Sequence, residues 1–260
     1  MAKNKKKVVS IQAAQSPSQS PKKRNPWALN LIIREFFNLS TGQQNFLDAY
    51  DEGKKIMCGL GMAGTGKTSL AAYLALCDLM SKDNDVEHVK FVRSVVPVRD
   101  MGFLKGSQSE KEGVYNIYKD MVNDIFGRSD AWSILEAHGF VSFCSTSFEQ
   151  GKTYDNTIVV LDEIGNMNFK EIDLIVSRLG YGSRIMLIGD LNQSYLNTRK
   201  EDECGVKQFI SIIERMNTAH VEFFSAEDII RCDLVRDYIS MREHVLHKEK
   251  LPGNYGTVSD

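Results

Sequence analysis

The 260-residue sequence has no apolar run that approaches the roughly 18 residues needed to cross a bilayer. Its N-terminus begins with charge, and the apolar run behind that charge is too short for a secretory signal. The five cysteines form no C-x-x-C pair, and an odd number at scattered positions is typical of reduced thiols. These absences argue against a membrane or secreted protein and predict a cytoplasmic one.

Acidic residues are missing from positions 1–24, which hold seven Lys or Arg. The remaining 236 residues have 25 basic and 34 acidic side chains, a net charge of −9. We therefore predict a disordered basic tail over residues 1–26, which either contacts nucleic acid or only aids solubility. An acidic body argues against a broad surface that coats duplex nucleic acid, although a local basic channel remains compatible with it.

The chain has no internal repeat, and predicted strands alternate with predicted helices. This alternation predicts one α/β domain with a mostly parallel sheet over residues 27–248, followed by a disordered tail over 249–260. The predicted strands are Ile56–Leu60, Glu87–Val92, Phe140–Cys144, Thr157–Leu161, Arg184–Ile188 and Val221–Phe224. The predicted helices are Asn30–Phe37, Gln43–Tyr50, Ser69–Met80, Lys111–Phe126, Ala131–His138, Phe169–Leu179, Gly205–Met216 and Ala226–His247, the last capped by Ser225.

A phosphate-binding loop comes directly after the first predicted strand. The template G-x-x-x-x-G-K-[ST], known as Walker A, is matched by Gly61, Met62, Ala63, Gly64, Thr65, Gly66, Lys67 and Thr68. Its glycines allow close approach to phosphate oxygens, and the helix that begins at Ser69 adds its N-terminal dipole. Lys67 suits the β- and γ-phosphates, and the Thr68 hydroxyl suits Mg²⁺. The motif predicts a nucleoside triphosphate site that includes Ser69.

The second motif is the acidic pair Asp162–Glu163, directly after an apolar, β-branched run. Such a run is typical of a strand buried on both faces of a parallel sheet, and its C-terminal end lies at the ligand-binding edge. Because it comes about a hundred residues after a phosphate loop, the pair is interpreted as a Walker B motif. Asp162 is predicted to hold Mg²⁺, and Glu163 is predicted to polarise the attacking water.

Polar residues elsewhere are weaker candidates. Gln43 precedes the phosphate-loop strand and is predicted to reach an adenine edge, the alternative being a surface helix residue. Gln193, in the turn after a predicted central strand, is predicted to sense the γ-phosphate, the alternative being a capped turn. Basic and aromatic residues also follow the second predicted strand, before the predicted helix Lys111–Phe126. Arg93, Arg99 and Phe103 in this segment are predicted to contact single-stranded nucleic acid, the alternative being an ordinary loop.

Several segments together resemble the PhoH-like family of P-loop ATPases, in the form often encoded by bacteriophages. The matching segments are GMAGTGKT, FVRSVVPVRDMGFLKG, IVVLDEIGNM, RLGYGSRIMLIGDLNQ and EDIIRCDLV, in the family's order over roughly residues 40–240. The resemblance implies a RecA-like core with strand order 5-1-4-3-2, similar to superfamily 1 helicases. It also implies ATP and Mg²⁺ as ligands, an adenine-reading Gln43 and an Arg231 that acts across a subunit interface in a homo-oligomer, such as a hexameric ring.

Departures from the family pattern are Met62, Ser94 and Lys105 in place of proline, and Gly165 in place of glutamine. The last puts in doubt a contact that couples the ATP site to nucleic acid. The chain also has no second motor domain, so translocation would need an oligomer. A phage-encoded protein of this kind would work in the host cytoplasm.

The sequence thus predicts an ATPase that binds ATP–Mg²⁺, with Lys67, Glu163, Gln193 and Arg231 as catalytic residues. We expect hydrolysis to be coupled to binding or remodelling of single-stranded RNA or DNA. The alternative is a nucleotide-gated binding or adaptor protein with slow hydrolysis and no helicase activity. A small-molecule kinase is a weaker alternative, since no arginine-rich lid is evident, and the missing N-K-x-D signature favours ATP over GTP.

Overall fold

In the part of the chain that is described, six parallel strands form one sheet with helices on both faces. The protein is represented by a computed structural model that describes residues 25–35, 38–93, 108–146, 153–190 and 205–249. The strands are β1 Ile56–Gly61, β2 His88–Arg93, β3 Val141–Ser145, β4 Thr157–Asp162, β5 Arg184–Gly189 and β6 Ala219–Phe224. The helices are α1 Thr41–Asp51, α2 Lys67–Met80, α3 Gln108–Phe126, α4 Ala131–Ala137, α5 Phe169–Val176, α6 Val206–Ile213 and α7 Asp233–Glu249.

The strand order in the sheet is β3-β2-β4-β5-β1-β6, with every pair parallel. Without β3, the other five strands, counted along the chain, have the order 5-1-4-3-2 that the resemblance implies. The sixth strand, β3, extends the sheet beyond β2. All six predicted strands are therefore confirmed, and strands β1, β4 and β5 lie side by side in the middle of the sheet.

Two apolar cores lie on opposite faces of the sheet. Because successive strand side chains point to opposite faces, Val160 of β4 packs with α1 to α4 while Val159 and Leu161 pack with α5 and α6. All six residues of β4 are buried, as its continuous apolar run predicts. The result is a three-layer α/β arrangement. None of the helices in the described ranges has the length and hydropathy of a membrane span.

The N-terminal boundary of the ordered part differs from the prediction. The predicted helix Asn30–Phe37 is wrong for residues 30–35, which contain no helix; a 3-10 turn over Pro26–Leu29 precedes them. Asn30, at φ 53°, ends that turn in the left-handed region. The segment that follows Asn30 is attached to α3 by a hydrogen bond from the Arg34 amide to the Ile125 carbonyl. Residues 1–24 and 250–260, and with them nearly all of both predicted tails, lie outside the described residues.

The predicted final helix over residues 226–247 is interrupted at its start. Ser225 does cap the backbone, but the cap opens a 3-10 turn over Ala226–Asp228, and α7 begins only at Asp233. The interruption has a non-local cause, because the Ile230 amide donates to the Gly64 carbonyl at 3.1 Å. Residues 229–232 therefore pass along the phosphate loop instead of forming a first helical turn. This segment carries Arg231.

Candidate nucleotide site at the carboxyl edge of the sheet

The phosphate loop connects the end of β1 to the start of α2, which is the strand–loop–helix context that the motif requires. Gly61 has φ 128°, and a Cβ there would lie 2.0 Å from the carbonyl oxygen of Phe224. Gly66 has φ 73°, and a Cβ there would lie 2.7 Å from Ile230 Cδ1 and 2.9 Å from Gln43 Nε2. Only glycine fits these two positions without rearrangement of the neighbours.

Lys67 is nearly buried, and its ammonium group bonds to the loop itself. Nζ donates to the Gly61 carbonyl at 2.9 Å, to the Met62 carbonyl at 2.5 Å and to Thr65 Oγ1 at 3.0 Å. Burial lowers the pKa of Lys67 to about 8, although nearby carboxylates, led by Asp190, oppose that shift. A phosphate group beside Nζ would favour the charged form, so the lysine is suited to a polyanionic ligand.

A cavity of about 270 Å³ opens next to the loop. This is close to the lower end of the roughly 300–1,000 Å³ range of small-molecule sites. Its walls are the phosphate loop and the first turn of α2, the ends of β4 and β5, and Arg231. The acidic lining residues are Asp162, Glu163 and Asp190. Cationic and anionic groups therefore face the same small space, as a phosphate chain with a divalent cation requires.

Asp162 and Thr68 meet at this cavity although 94 positions separate them. Thr68 Oγ1 donates to Asp162 Oδ1 at 3.1 Å, and the Tyr118 hydroxyl donates to Asp162 Oδ2 at 2.8 Å. Burial, followed by the charge of Asp162, raises the pKa of the Tyr118 phenol well above its usual value. A hydroxyl and a carboxylate oxygen side by side fit the preference of Mg²⁺ for hard oxygen ligands supplemented by phosphate and water.

Glu163 adopts a left-handed conformation, φ 58° and ψ 39°, directly after β4. Its half-buried carboxylate accepts a charge-assisted bond from Arg93 Nη2 at 3.2 Å. Burial raises the pKa of Glu163, and the charge of Arg93 opposes the shift. The residue therefore combines an unusual backbone with a partly desolvated carboxylate at the cavity wall.

Comparison with known proteins agrees with this geometry. The profile of the family described as "PhoH-like protein" matches residues 37–243. The chain belongs to the PhoH-like protein family. A PhoH-like protein of Mycobacterium leprae is 29% identical over 211 residues, covering 78% of this chain and 58% of the relative. One of Bacillus subtilis is 28% identical over 198 residues, covering 75% of this chain and 58% of the relative. The chain thus spans little more than half the length of these relatives.

Among solved structures, the HK97 bacteriophage large terminase is similar to this PhoH-like chain with a TM-score of 0.52 and 13% identity. The match covers 88% of this chain and 53% of the terminase chain. At this identity the similarity concerns the fold alone. Together with the parallel sheet and the phosphate loop, it identifies the fold as that of a RecA-like P-loop NTPase.

Arg93 of the PhoH-like chain, predicted to contact nucleic acid, lies at the end of β2 and is half-buried. Its guanidinium pairs with Glu163 at 3.2 Å. Arg93 therefore lies next to an acidic residue that lines the cavity. The other two predicted nucleic-acid contacts, Arg99 and Phe103, and the predicted sensor Gln193 lie outside the described residues.

Gln43 is almost fully buried, at 1% exposure, so it is not a surface helix residue. Its Oε1 accepts from the Ser40 amide at 3.1 Å in the capping box of α1, and its Nε2 donates to the Thr65 carbonyl at 2.9 Å. Both polar atoms of the side chain thus bind protein groups, one of them in the phosphate loop. Its neighbour Gln44 is exposed and bonds to Asp48. Adenine recognition by Gln43 stays a prediction.

Arg231 lines the cavity of its own chain. Its Cγ would lie 3.3 Å from a Cβ built on Gly64, so the stem of the side chain runs beside the phosphate loop. The interrupted start of α7 makes this possible, because a helix beginning at residue 226 would have no bond from Ile230 to Gly64. The predicted position of Arg231 on a helix was wrong, and its catalytic role stays a prediction.

Two residues of the site were not among the predicted site residues. Asp190 is the first residue after β5, a position equivalent to that of Glu163 after β4. This position in the sequence could have identified Asp190 as a site residue. Tyr118 fits the apolar spacing of α3, so the sequence predicts a core residue there and gives no indication that its hydroxyl has a role in the site. The structure also explains why glycine stands at position 165, where the family pattern has glutamine: a Cβ there would lie 2.4 Å from the Asp190 carbonyl oxygen.

Proposed function

We propose that this chain binds ATP with Mg²⁺ and hydrolyses the bond between the β- and γ-phosphates. The observation that carries the proposal is the convergence of Lys67, Thr68, Asp162 and Glu163 on one cavity beside the phosphate loop. Lys67, at the head of α2, would hold the phosphates together with the loop amides. Thr68 and Asp162 would hold Mg²⁺, which would neutralise phosphate charge when bound. Glu163 would orient and deprotonate the attacking water.

The remaining residues have roles that depend on this reaction. Arg231, beside the loop, would stabilise negative charge on the transferred phosphate, and its place at the cavity supports a role within its own chain. Gln193 would sense the γ-phosphate, and Gln43 the adenine. A homo-oligomer, such as a hexameric ring, stays a prediction; light scattering would distinguish the 29.3 kDa chain from six times that mass.

We further propose that hydrolysis is coupled to binding or remodelling of single-stranded RNA or DNA. The support is the position from which the basic and aromatic segment 94–107 starts. Arg93, the last described residue before this segment, is paired in register with Asp162 of β4, which lines the cavity. A strand of nucleic acid bound by Arg99 and Phe103 would then act close to the arginine that holds Glu163.

The decisive experiment measures phosphate release from the wild-type chain and the Glu163→Gln variant, with and without single-stranded RNA and DNA. We expect Glu163→Gln to lower the rate about 10²–10⁴-fold, the usual contribution of a general base, with nucleotide binding retained. Glu214→Gln, at an exposed glutamate after α6, is the matched control and should keep the wild-type rate. Equal rates in wild type and Glu163→Gln would refute the role of Glu163. If neither nucleic acid changes the rate of phosphate release at low salt, the coupling of hydrolysis to nucleic-acid binding is refuted.

The second candidate function is a nucleotide-gated binding protein. The ion pair between Arg93 and Glu163 favours it, because the carboxylate that would activate water is held by a guanidinium. Such a switch should turn over less than about once per minute without a partner, whereas many enzymes reach about 1–10³ s⁻¹. Single-turnover and steady-state rates measured on the same preparation would decide between the two functions.

A further inference from the structure

Tyr118 is a buried polar group that the proposed catalytic roles leave unused. It lies in α3 with 0% exposure, and its hydroxyl donates to Asp162 Oδ2 at 2.8 Å. The other carboxylate oxygen, Oδ1, accepts from Thr68 Oγ1 at 3.1 Å. Each oxygen of Asp162 is therefore bonded to a different residue, and the rotation of the carboxylate about its last bond is fixed by both.

The ring of Tyr118 is held from two sides, so the hydroxyl has a defined position. Its centroid lies 5.2 Å from that of Phe91 in β2 and 5.2 Å from that of Phe143 in β3, the latter in a stacked arrangement. These contacts belong to the ring and do not depend on the hydroxyl. Replacement by phenylalanine would therefore remove the bond to Asp162 and leave the aromatic packing in place.

The Tyr118 hydroxyl acts on only one of the two acidic residues after β4. It donates to Asp162, whereas the neighbouring Glu163 accepts from Arg93 Nη2 at 3.2 Å. The two carboxylates are therefore held by different side chains, Asp162 by hydroxyl groups and Glu163 by a guanidinium. Without the hydroxyl, Asp162 Oδ2 would lose its buried donor.

We propose that Tyr118 is a positioning residue, whose hydroxyl orients Asp162 so that Oδ1 faces Thr68 and the cavity, where the divalent cation of a nucleotide complex would bind. The inference rests on the proposed function, because it assigns a partner to the metal-holding carboxylate. Residues that orient metal ligands in this way typically change metal affinity or activity about 10–100-fold when mutated. Tyr118 acts through Asp162 and contacts neither metal nor nucleotide itself.

The test is binding of a fluorescently labelled ADP at increasing Mg²⁺ concentrations. For Tyr118→Phe we expect the Mg²⁺ concentration at half-maximal binding to rise about 10–100-fold. Binding in the presence of EDTA should be unchanged, because the phosphate loop is untouched. The matched control is Tyr115→Phe, one turn earlier in α3. The Tyr115 hydroxyl also makes two side-chain hydrogen bonds, to Glu136 and from Trp132, but at a distance from the site.

A double-mutant cycle separates positioning from a general structural effect. In an Asp162→Asn background, Tyr118→Phe should move the Mg²⁺ midpoint less than about twofold, since the oriented group is already removed. A full shift in that background would overturn the inference, as would a Tyr118→Phe midpoint equal to that of wild type. If ADP binding by the wild-type chain does not depend on Mg²⁺, the proposed metal site is overturned as well. Failure of the proposed function can thus be distinguished from failure of the Tyr118 inference alone. Thermal melts of all variants verify that each is folded.

Discussion

Glu163 and Gly66 are two residues with positive φ at the cavity, and they have it for different reasons. Glu163 is a non-glycine residue in the left-handed region, which costs of the order of 1–3 kcal/mol. The conformation turns the chain at the end of β4 and brings the carboxylate to the cavity wall, where it meets Arg93. Gly66, at φ 73°, instead has a backbone and surroundings that both exclude a side chain.

Gly66→Ala should therefore damage the site more than an ordinary glycine substitution would. Its methyl group would meet Ile230 Cδ1 at 2.7 Å and Gln43 Nε2 at 2.9 Å, and φ would be strained as well. Gly53→Ala is the matched control, because Gly53 has φ 86° but no atom within 4 Å of the added Cβ. We expect a cost of about 1–2 kcal/mol for the strain alone at Gly53, and a larger cost at Gly66.

The two variants should also separate in ligand binding. Gly66→Ala should weaken binding of labelled ADP at least about tenfold, since the shifted neighbours include a residue bonded to Thr65, whereas Gly53→Ala should bind as wild type does. Urea unfolding and fluorescence titration measure the two effects. Equal stabilities and equal affinities in the two variants would show that the crowding at Gly66 is relieved without consequence.

Between elements, Asp228 joins the end of β6 to the start of α1. Its Oδ2 accepts from the Ser225 amide at 2.8 Å and its Oδ1 from the Gly42 amide at 2.9 Å, in the first turn of α1. The residue is buried at 5% exposure, and the negative charge near a helix N-terminus is favourable. Just beyond it, residues 229–232 pass the phosphate loop, so this connection supports both Gln43 and Arg231.

Asp228→Asn should destabilise the fold by about 1–3 kcal/mol at neutral pH, because it removes the charge and one of the two acceptors that the Ser225 and Gly42 amides use. Urea unfolding measures the difference, and Asp173→Asn, at an exposed aspartate in α5, is the control.

Desolvation acts to raise the pKa of Asp228, but the hydrogen bonds from the Ser225 and Gly42 amides and the Ser40 hydroxyl outweigh it and lower that pKa.

The lowered pKa of Asp228 sets the sign of the pH dependence. Its stabilising contribution is complete above the unfolded-state pKa of about 3.9 and is lost as the pH falls through the folded-state value. The stability difference between wild type and Asp228→Asn should therefore shrink in acid. If the stability difference stays constant down to the lowest pH at which the protein is still folded, the stabilising role of the Asp228 charge is contradicted.

The elements that the sequence predicts well are those whose signals are local. Apolar runs bounded by turn residues identify all six strands, and the helix predicted over Gln43–Tyr50 is confirmed as α1. The start of α7 was predicted wrongly because the Ser225 signature is the same for a 3-10 turn and for an α-helix. The bond from Ile230 to Gly64, which decides between them, joins residues 166 positions apart and leaves no local trace.

In the whole molecule, parallel topology gathers the site at one edge of the sheet. The strand ends that meet there come from β1, β2, β4 and β5. The strand order implied by the family resemblance was therefore enough to place Lys67 near Asp162 and Glu163. It could not place Tyr118, because the bond from α3 to Asp162 depends on how that helix crosses the sheet. Nor could it predict the ion pair between Arg93 and Glu163, which depends on side-chain directions at neighbouring strand ends; nucleic-acid contact by Arg93 stays a prediction.

Ligand binding to this assembled edge should stabilise the folded chain as a whole. Mg–ADP at 100 times its dissociation constant contributes about 2.7 kcal/mol, which corresponds to about 5–10 °C in melting temperature for a domain of this size. Lys67→Ala should reduce this shift to about 2 °C or less, because the buried ammonium group is the main cation at the phosphate loop. Lys170→Ala, at an exposed lysine in α5, should keep the full shift. Because each variant is compared with and without nucleotide, any change in its intrinsic stability cancels. An undiminished shift in Lys67→Ala would place the nucleotide elsewhere on the molecule.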